Sequence, residues 1–366
     1  MKLLYVTDAL AIRGGLERVL IDKANWLSEQ AGYEIHILTV NQGNHPIAYP
    51  IAPHIIHTDI DIQFFRQYQY TGIKRLFVNR QLRKLFRKRL SNKIETFVPD
   101  VIVCMRLDYL TDIISVKGNI PLVFESHSSK ISYRFDESGL LRKLQIKLWQ
   151  RGVRNAQMTV ALTQGDAQEW KTLTPNVCVI PNIVNLNETG RYSDCTNKRA
   201  IFVGRLVEQK GIPDLIKIWT IVHQRYPDWQ LDVFGDGKMD SLPDIKMFVH
   251  PPTENIMEEY LNSSVLLMTS VYEPFGLVLP EAMGCGLPVV AFDCPYGPAD
   301  IITDGVDGFL IKERCVDEFV QQVDQLICSY DLRRQMGQAG IVFSQRYQPS
   351  RIMPMWKELF ESLIQS

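Results

Sequence analysis

Two glutamates eight residues apart, Glu273 and Glu281, frame the densest chemistry in this 366-residue chain. Glu273 precedes Pro274 and the step Phe275-Gly276, and Glu281 falls among Leu277, Val278, Leu279, Ala282 and Met283. A carboxylate in apolar surroundings is costly unless a partner or ligand takes up its charge. Proline disfavours helix at the residue before it, so Glu273 is expected in a loop. Phe275-Gly276 reads as a helix start, and Gly284 and Gly286 read as stops, which predicts a helix over 276–286. A helix start offers free N–H groups and the positive end of the helix dipole, a setting that suits phosphate. With one acid outside that start and the other one to two turns inside, the layout is that of a nucleotide-sugar site.

Other residues fit the same chemistry. Arg205 and Lys210 follow a strand ending in Val203-Gly204 and are closed off by Gly211. Two cations on a glycine-bounded loop can pair with a diphosphate, Arg as a fork and Lys as a point charge. The plainer reading is a solvated loop in which Glu208 partners Lys210. Gly14 and Gly15 occupy the first strand-to-helix turn, where glycine lets backbone approach a ligand. They are not part of a Gly-x-Gly-x-x-Gly run, so no tightly held dinucleotide is implied. Phe234-Gly235-Asp236-Gly237 ends another strand in a glycine turn. His127 lies just past the strand expected over 122–125, where residues of doubly wound sheets meet ligands, and Asp108 is a weaker candidate of the same kind.

The elements that must position these groups alternate through the chain. In the first half, 2–7, 34–39, 101–104, 122–125, 159–162 and 177–180 are short runs rich in Val, Ile and Leu, as in buried parallel strands. Between them 16–30, 74–94 and 140–155 carry apolar residues at helical spacing. Residues 183–196 are polar and turn-rich and read as a linker. The alternation then restarts, with strands over 200–203, 230–235, 247–249, 265–269, 288–292 and 308–311 and helices over 212–226, 255–262, 276–286 and 316–329. The pattern predicts an α/β protein of two Rossmann-like domains with parallel sheets, residues 1–182 and 197–347, whose strand ends face one another across a cleft.

The segment from Tyr272 to Ala291 resembles the signature of retaining glycosyltransferases of the GT-B fold, family 4, in which two glutamates are separated by seven residues and Phe-Gly follows the first. The run Phe202 to Gly211 resembles that family's phosphate loop, and Gly14-Gly15-Leu16-Glu17-Arg18 its N-terminal glycine loop. The resemblance covers nearly the whole chain and implies a last helix, within 348–366, that crosses back to the first domain. It implies that Glu273 touches the hydroxyls of a donor sugar, Glu281 the ribose, the amides of Leu277 and Val278 the distal phosphate, and His127 the transferred sugar. Gly204, Gly235, Phe275 and Gly276 complete the donor site. His250-Pro251-Pro252 departs from the family where the base would lie. Tyr296 to Ile302, with Asp304 to Gly308, resembles relatives that use UDP-hexoses. Nothing is read as the Asp-x-Asp metal site, so metal-independent transfer from a UDP-sugar, with no cofactor, is the expectation.

Composition agrees with a soluble globular protein: 46% of residues are hydrophobic and 22% charged. Seven cysteines without a Cys-x-x-Cys pair or a His cluster argue against disulfides and zinc and for a reducing cytosol. No run has the length of a secretory or spanning segment. The net charge of −1 hides an asymmetry: residues 1–180 hold 24 Lys and Arg against 16 Asp and Glu, and residues 181–366 hold 16 against 25. Much of the positive excess lies in 74–90, with eight Lys and Arg and no acid. There Val78, Leu82, Leu85, Phe86 and Leu90 share one side of a helix and Arg80, Arg83, Lys84, Arg87 and Lys88 the other. A packed helix with a solvated face explains this, and so does a helix that meets an anionic membrane. Nucleic acid is not the expected partner of this run. The expected partners are therefore a nucleotide-sugar donor, a glycan or lipid-linked acceptor and the inner face of a membrane, for a cytoplasmic enzyme of polysaccharide synthesis. A nucleotide-sugar epimerase and a non-catalytic subunit of an assembly complex are the alternatives.

Overall fold

Both halves build the parallel sheets that their apolar runs predict. In the computed structural model, which describes residues 1–133, 135, 139–186 and 190–365, the chain divides into two compact units. The first comprises Met1–Leu162, Asp166–Ile183 and the chain from Ile352 onward; the second comprises Thr163–Gly165 and Val184–Arg351.

The first unit holds a seven-stranded sheet formed by β1 (Lys2–Thr7), β2 (Glu34–Thr39), β3 (Ile56–Asp59), β4 (Val101–Cys104), β5 (Leu122–Glu125), β6 (Met158–Ala161) and β7 (Val177–Val179), in the order β3-β2-β1-β4-β5-β6-β7. Among the described residues all of its strand pairings are parallel. Leu3, Leu4, Tyr5 and Val6 of β1 are all fully buried. A strand covered on both faces shows a continuous apolar run in place of alternation, which is why these strands are legible. The edge strand β3, Ile-His-Thr-Asp, is only half-buried and carries no such run, so it escaped the sequence reading.

Helix α1 (Gly15–Ala31) follows β1, and α2 (Gly72–Phe97) precedes β4. Helix α2 buries Leu82, Phe86, Leu90 and Ile94, a stripe at four-residue spacing. Its cationic side is not uniformly solvated. Arg83 donates to the buried Asp112, Arg87 lies 3.6 Å from the same carboxylate, and Arg89 donates to the carbonyls of Ile60 and Asp61. A buried carboxylate needs such partners. Arg80, Lys84 and Lys88 are left exposed.

The second unit holds a six-stranded parallel sheet, β8 (Arg199–Val203), β9 (Gln230–Phe234), β10 (Met247–His250), β11 (Val265–Met268), β12 (Val289–Phe292) and β13 (Gly308–Ile311), in the order β10-β9-β8-β11-β12-β13. Trp219, Phe202, Phe292 and Phe319 are among its core residues. Within 183–196, residues 187–189 lie outside the described residues, and others are packed, not solvated. The Ser193 amide donates to the Cys285 carbonyl at 2.8 Å, its hydroxyl donates to the Ser263 carbonyl at 2.5 Å, and Cys195 is fully buried.

The last described helix is Pro349–Gln365, which from Ile352 belongs to the first unit. Its Trp356 is 2% exposed and its ring lies 3.9 Å from the Lys23 ammonium of α1. Truncating a buried Trp costs about 3–5 kcal/mol, so Trp356→Ala should lower the urea midpoint of the first unit by a corresponding amount. An unchanged midpoint would show that the last helix contributes little to that unit.

Candidate functional site

At the carboxyl end of the second sheet, two loops come into contact because their ends are glycine. Gly204 closes β8 and Gly235 closes β9. A methyl group on Gly235 would lie 1.9 Å from the Gly204 carbonyl oxygen, so no larger residue fits without moving backbone. The Gly204 amide donates to the Phe234 carbonyl at 3.0 Å, and the Leu206 amide to the Asp236 carbonyl at 2.7 Å. Gly204 also borders the stem of Lys210, whose Cε would sit 3.3 Å from an added Cβ.

Lys210 ends a short 3-10 turn, Glu208–Lys210, and its ammonium donates to Glu273 Oε2 at 2.5 Å. Only 14% of the Lys210 side chain and 11% of the Glu273 side chain are exposed. The partner of Lys210 is thus Glu273 and not the neighbouring Glu208. Ser270 Oγ donates to the same carboxylate oxygen at 3.1 Å. The Glu273 backbone is pinned on both sides: its amide donates to the Pro295 carbonyl at 2.7 Å, and its carbonyl accepts from the Tyr296 and Gly297 amides at 2.9 and 2.8 Å. Arg314 supports the loop from behind. It pairs with Asp214 and donates to the carbonyls of Ser270 at 2.8 Å and Thr269 at 3.2 Å.

Beyond Glu273 the chain turns through Phe275, which is 3% exposed and packs edge-on against Tyr347, into Gly276 at φ 93°. That left-handed conformation is incompatible with a right-handed helix. The helix therefore runs Val278–Gly284, shorter than the 276–286 expected from the glycines. The amides of Gly276, Leu277 and Val278 donate to no described residue, while Leu279 and Glu281 already donate to the carbonyls of Gly276 and Leu277. Three successive free amides next to a lysine form a concentration of positive potential without a positive net charge. Glu281 is buried inside this helix, 6% exposed, and accepts from the Tyr260 hydroxyl at 3.3 Å.

The remaining candidates are placed differently. Arg205 is exposed and makes no ion pair with a described residue, unlike Lys210, which pairs with Glu273. His250 Nε2 donates to Asp232 Oδ1 at 2.6 Å, and its ring stacks 4.6 Å from Phe234. Asp232 also binds Arg199, and this network fixes the imidazole. Asp304 and Asp307 accept from the amides of Leu310 and Thr303, in a turn that ties β13 to its approach.

In the first unit Gly14 is the residue before α1, with an extended φ of −112°, and Gly15 is exposed in its first turn. His127 follows β5, and its Nε2 lies 2.9 Å from Glu125 Oε1. Glu125 is 1% exposed and also accepts from Lys23, equally buried. Burial alone would raise the Glu125 carboxyl, but Lys23 and His127 hold it at about 2. Burial pulls the Lys23 ammonium below its ordinary value, against the opposing pull of Glu125. Asp108 accepts from Trp149 Nε1 at 3.0 Å, a packing contact. Lys23 and Arg314 were missed by sequence reasoning. The signal for Lys23 was available: it interrupts the apolar stripe of Leu20, Ala24 and Leu27 on α1. Arg314 is a charge on a turn far from the glutamates in sequence, and no local pattern distinguishes it.

The chain matches known proteins along most of its length. A family model described as Glycosyl transferases group 1 matches residues 192–342, and one described as Glycosyltransferase Family 4 matches residues 13–188. The chain is 30% identical over 382 residues to the amylovoran biosynthesis glycosyltransferase AmsD of Erwinia amylovora, covering 98% of this chain and 99% of that protein. It is 28% identical over 357 residues to an uncharacterized glycosyltransferase of Haemophilus influenzae, covering 94% and 95%. In fold it is similar to the crystal structure of TarM, with a TM-score of 0.79 at 16% identity over 98% of both chains. It is also similar to that of Anabaena Alr3699/HepE in complex with UDP-glucose, with a TM-score of 0.74 at 19% identity over 99% and 100%.

Gly235→Ala tests the contact between the two glycine loops. Overpacking of this kind costs about 1–3 kcal/mol, so the second unit should melt earlier. An unchanged melting temperature would mean that the close approach is not needed.

Proposed function

Because the chain belongs to the group 1 glycosyltransferases, with family 4 sequence through its first half, we propose that it transfers a hexosyl or N-acetylhexosaminyl group from a UDP-sugar to a glycan acceptor in polysaccharide synthesis, with retention at the transferred carbon. The observation that carries this reading is the Lys210 ammonium, held by Glu273, next to the three free amides of Gly276, Leu277 and Val278. The Erwinia relative is named for a polysaccharide, and the Anabaena structure holds UDP-glucose; both support the assignment of donor and pathway class.

In this reading the diphosphate sits on those amides and on Lys210, and Arg205 turns in from its exposed position. The bond from C1 to the diphosphate breaks while an acceptor oxygen bonds to C1 on the same face. The acceptor's proton passes to the departing phosphate. Charge that develops on the leaving group meets donors already in place, so little reorganisation is required as the bond breaks. Glu273 and Glu281 accept from hydroxyls of the sugar and ribose, and His127 contacts the transferred sugar. No metal and no further cofactor takes part in the proposal. Lys210→Ala should lower kcat by about 100-fold or more, the scale seen on removal of one such donor, in an assay of sugar transfer from UDP-sugar. Turnover near that of the unmodified chain would reject the role of Lys210.

The acceptor is proposed to be lipid-linked, reached from the inner face of a membrane. Among the described residues no helix is long and apolar enough to cross a bilayer. The start of α2 offers a different mode of attachment. Phe65, Tyr68, Ile73, Leu76 and Phe77 are all at least 56% exposed. Lys74 and Arg75 accompany them, and Arg80, Lys84 and Lys88 are exposed along the same helix. Apolar side chains ringed by cations suit an anionic interface, where each cation contributes about 1 kcal/mol. The chain should co-sediment with phosphatidylglycerol-containing vesicles and not with phosphatidylcholine alone. Leu76→Ser with Phe77→Ser should weaken this by at least about tenfold, given about 1.5 kcal/mol or more for each buried apolar side chain. Equal sedimentation of both forms would exclude this surface.

A further inference from the structure

We infer that Lys23 and Glu125 are positioning residues for His127, and that together they fix its imidazole as the Nε2–H tautomer with Nδ1 turned into the ring's only acceptor. The inference rests on the proposed contact of His127 with the transferred sugar and extends it to how that contact is made.

Glu125 is the last residue of β5, and its two oxygens are divided between two partners. Oε2 accepts from the Lys23 ammonium and Oε1 faces His127 Nε2 at 2.9 Å. An ionised carboxylate can only accept, so Nε2 must carry the proton in this contact. A neutral imidazole has one donor and one acceptor nitrogen, so Nδ1 is left with the lone pair. Nδ1 has no hydrogen-bond partner among the described residues, although the side chain is only 4% exposed. A hydroxyl group of a sugar can donate to a nitrogen in that state. In the other tautomer Nδ1 would instead compete as a donor.

The pair has no room to rearrange. Lys23 and Glu125 are each 1% exposed, and the ammonium is enclosed by the rings of Trp356 at 3.9 Å and Tyr5 at 5.3 Å. With aromatic faces on its other sides, the ammonium has Glu125 as its hydrogen-bond acceptor, and so holds the carboxylate in one orientation. The turn that carries His127 is held as well: the Ser126 amide donates to the Val160 carbonyl at 2.9 Å and its hydroxyl to the Ser128 carbonyl at 2.7 Å. A buried ion pair is a poor device for stability alone, since apolar replacements of similar volume are often as stable. What an apolar pair cannot supply is an oriented carboxylate oxygen for the histidine.

The experiment compares the unmodified chain with Lys23→Met/Glu125→Gln, a neutral double variant of similar volume that leaves no buried charge unpaired. In the variant a glutamine amide can either accept from Nε2–H or donate to a bare Nε2, so tautomer selection is lost. Long-range proton–nitrogen NMR on histidine-labelled protein should show a single Nε2–H form for His127 in the unmodified chain and a mixture in the variant. Sugar transfer by the variant should lose about 10–100-fold in kcat, the scale seen when a residue that orients a metal-bound histidine is removed, with KM for the donor little changed. An Nδ1–H form in the unmodified chain overturns the inference even if the variant does not fold. A folded variant with either an unaltered tautomer or unaltered kcat overturns it too. His127→Ala separates this from the reading beneath it: if that variant transfers sugar at the full rate, the sugar contact fails, whatever the tautomer proves to be.

Discussion

The ion pair between Lys210 and Glu273 is the constraint around which the second unit's site is arranged. Two charges with little exposure are stable together and costly apart. The surrounding structure keeps them together: Ser270 adds a hydrogen bond to the carboxylate, Arg314 ties down the loop before it, and the backbone of Glu273 is bonded to the segment after β12. A site built this way has its cation fixed before any anion arrives. In the proposed binding mode a diphosphate adds a second acceptor to Lys210, the free amides beyond Gly276 supply the remaining donors, and Glu273, still pinned by its backbone, accepts from hydroxyls.

A related device recurs in the first unit with a different outcome. Lys23 and Glu125 also pair at the carboxyl end of a parallel sheet, but both are 1% exposed and closed over by Trp356. The Lys210 side chain keeps 14% of its surface open. That difference in access separates a pair with an open side from one that is closed in and faces only its neighbour. Parallel sheets favour both arrangements, because the carboxyl ends of their strands release loops where polar groups gather.

Much of this organisation was legible in the residues. The strands of both sheets announce themselves as apolar runs because each is covered on two faces, and the isolated glutamates in apolar sequence required partners. What stayed hidden has a common physical cause: it depends on contacts between distant segments. The edge strand β3 lacks an apolar run because it is half-buried. Gly276 looks like part of a helix until its φ of 93° places it outside. Arg205 and Lys210 are equivalent by spacing, and only the fold shows that one pairs with Glu273 while the other is exposed. The eight cations of 74–90 look alike in sequence, yet the buried Asp112 claims Arg83 and draws Arg87 to within 3.6 Å.

A crystal structure with UDP bound would test the central claim most directly. The distal phosphate should lie within hydrogen-bond reach of the Lys210 ammonium and of the Leu277 and Val278 amides, with Glu273 still held by Ser270. Phosphate bound elsewhere, with Lys210 engaged by Glu273 alone and those amides facing water, would contradict the account.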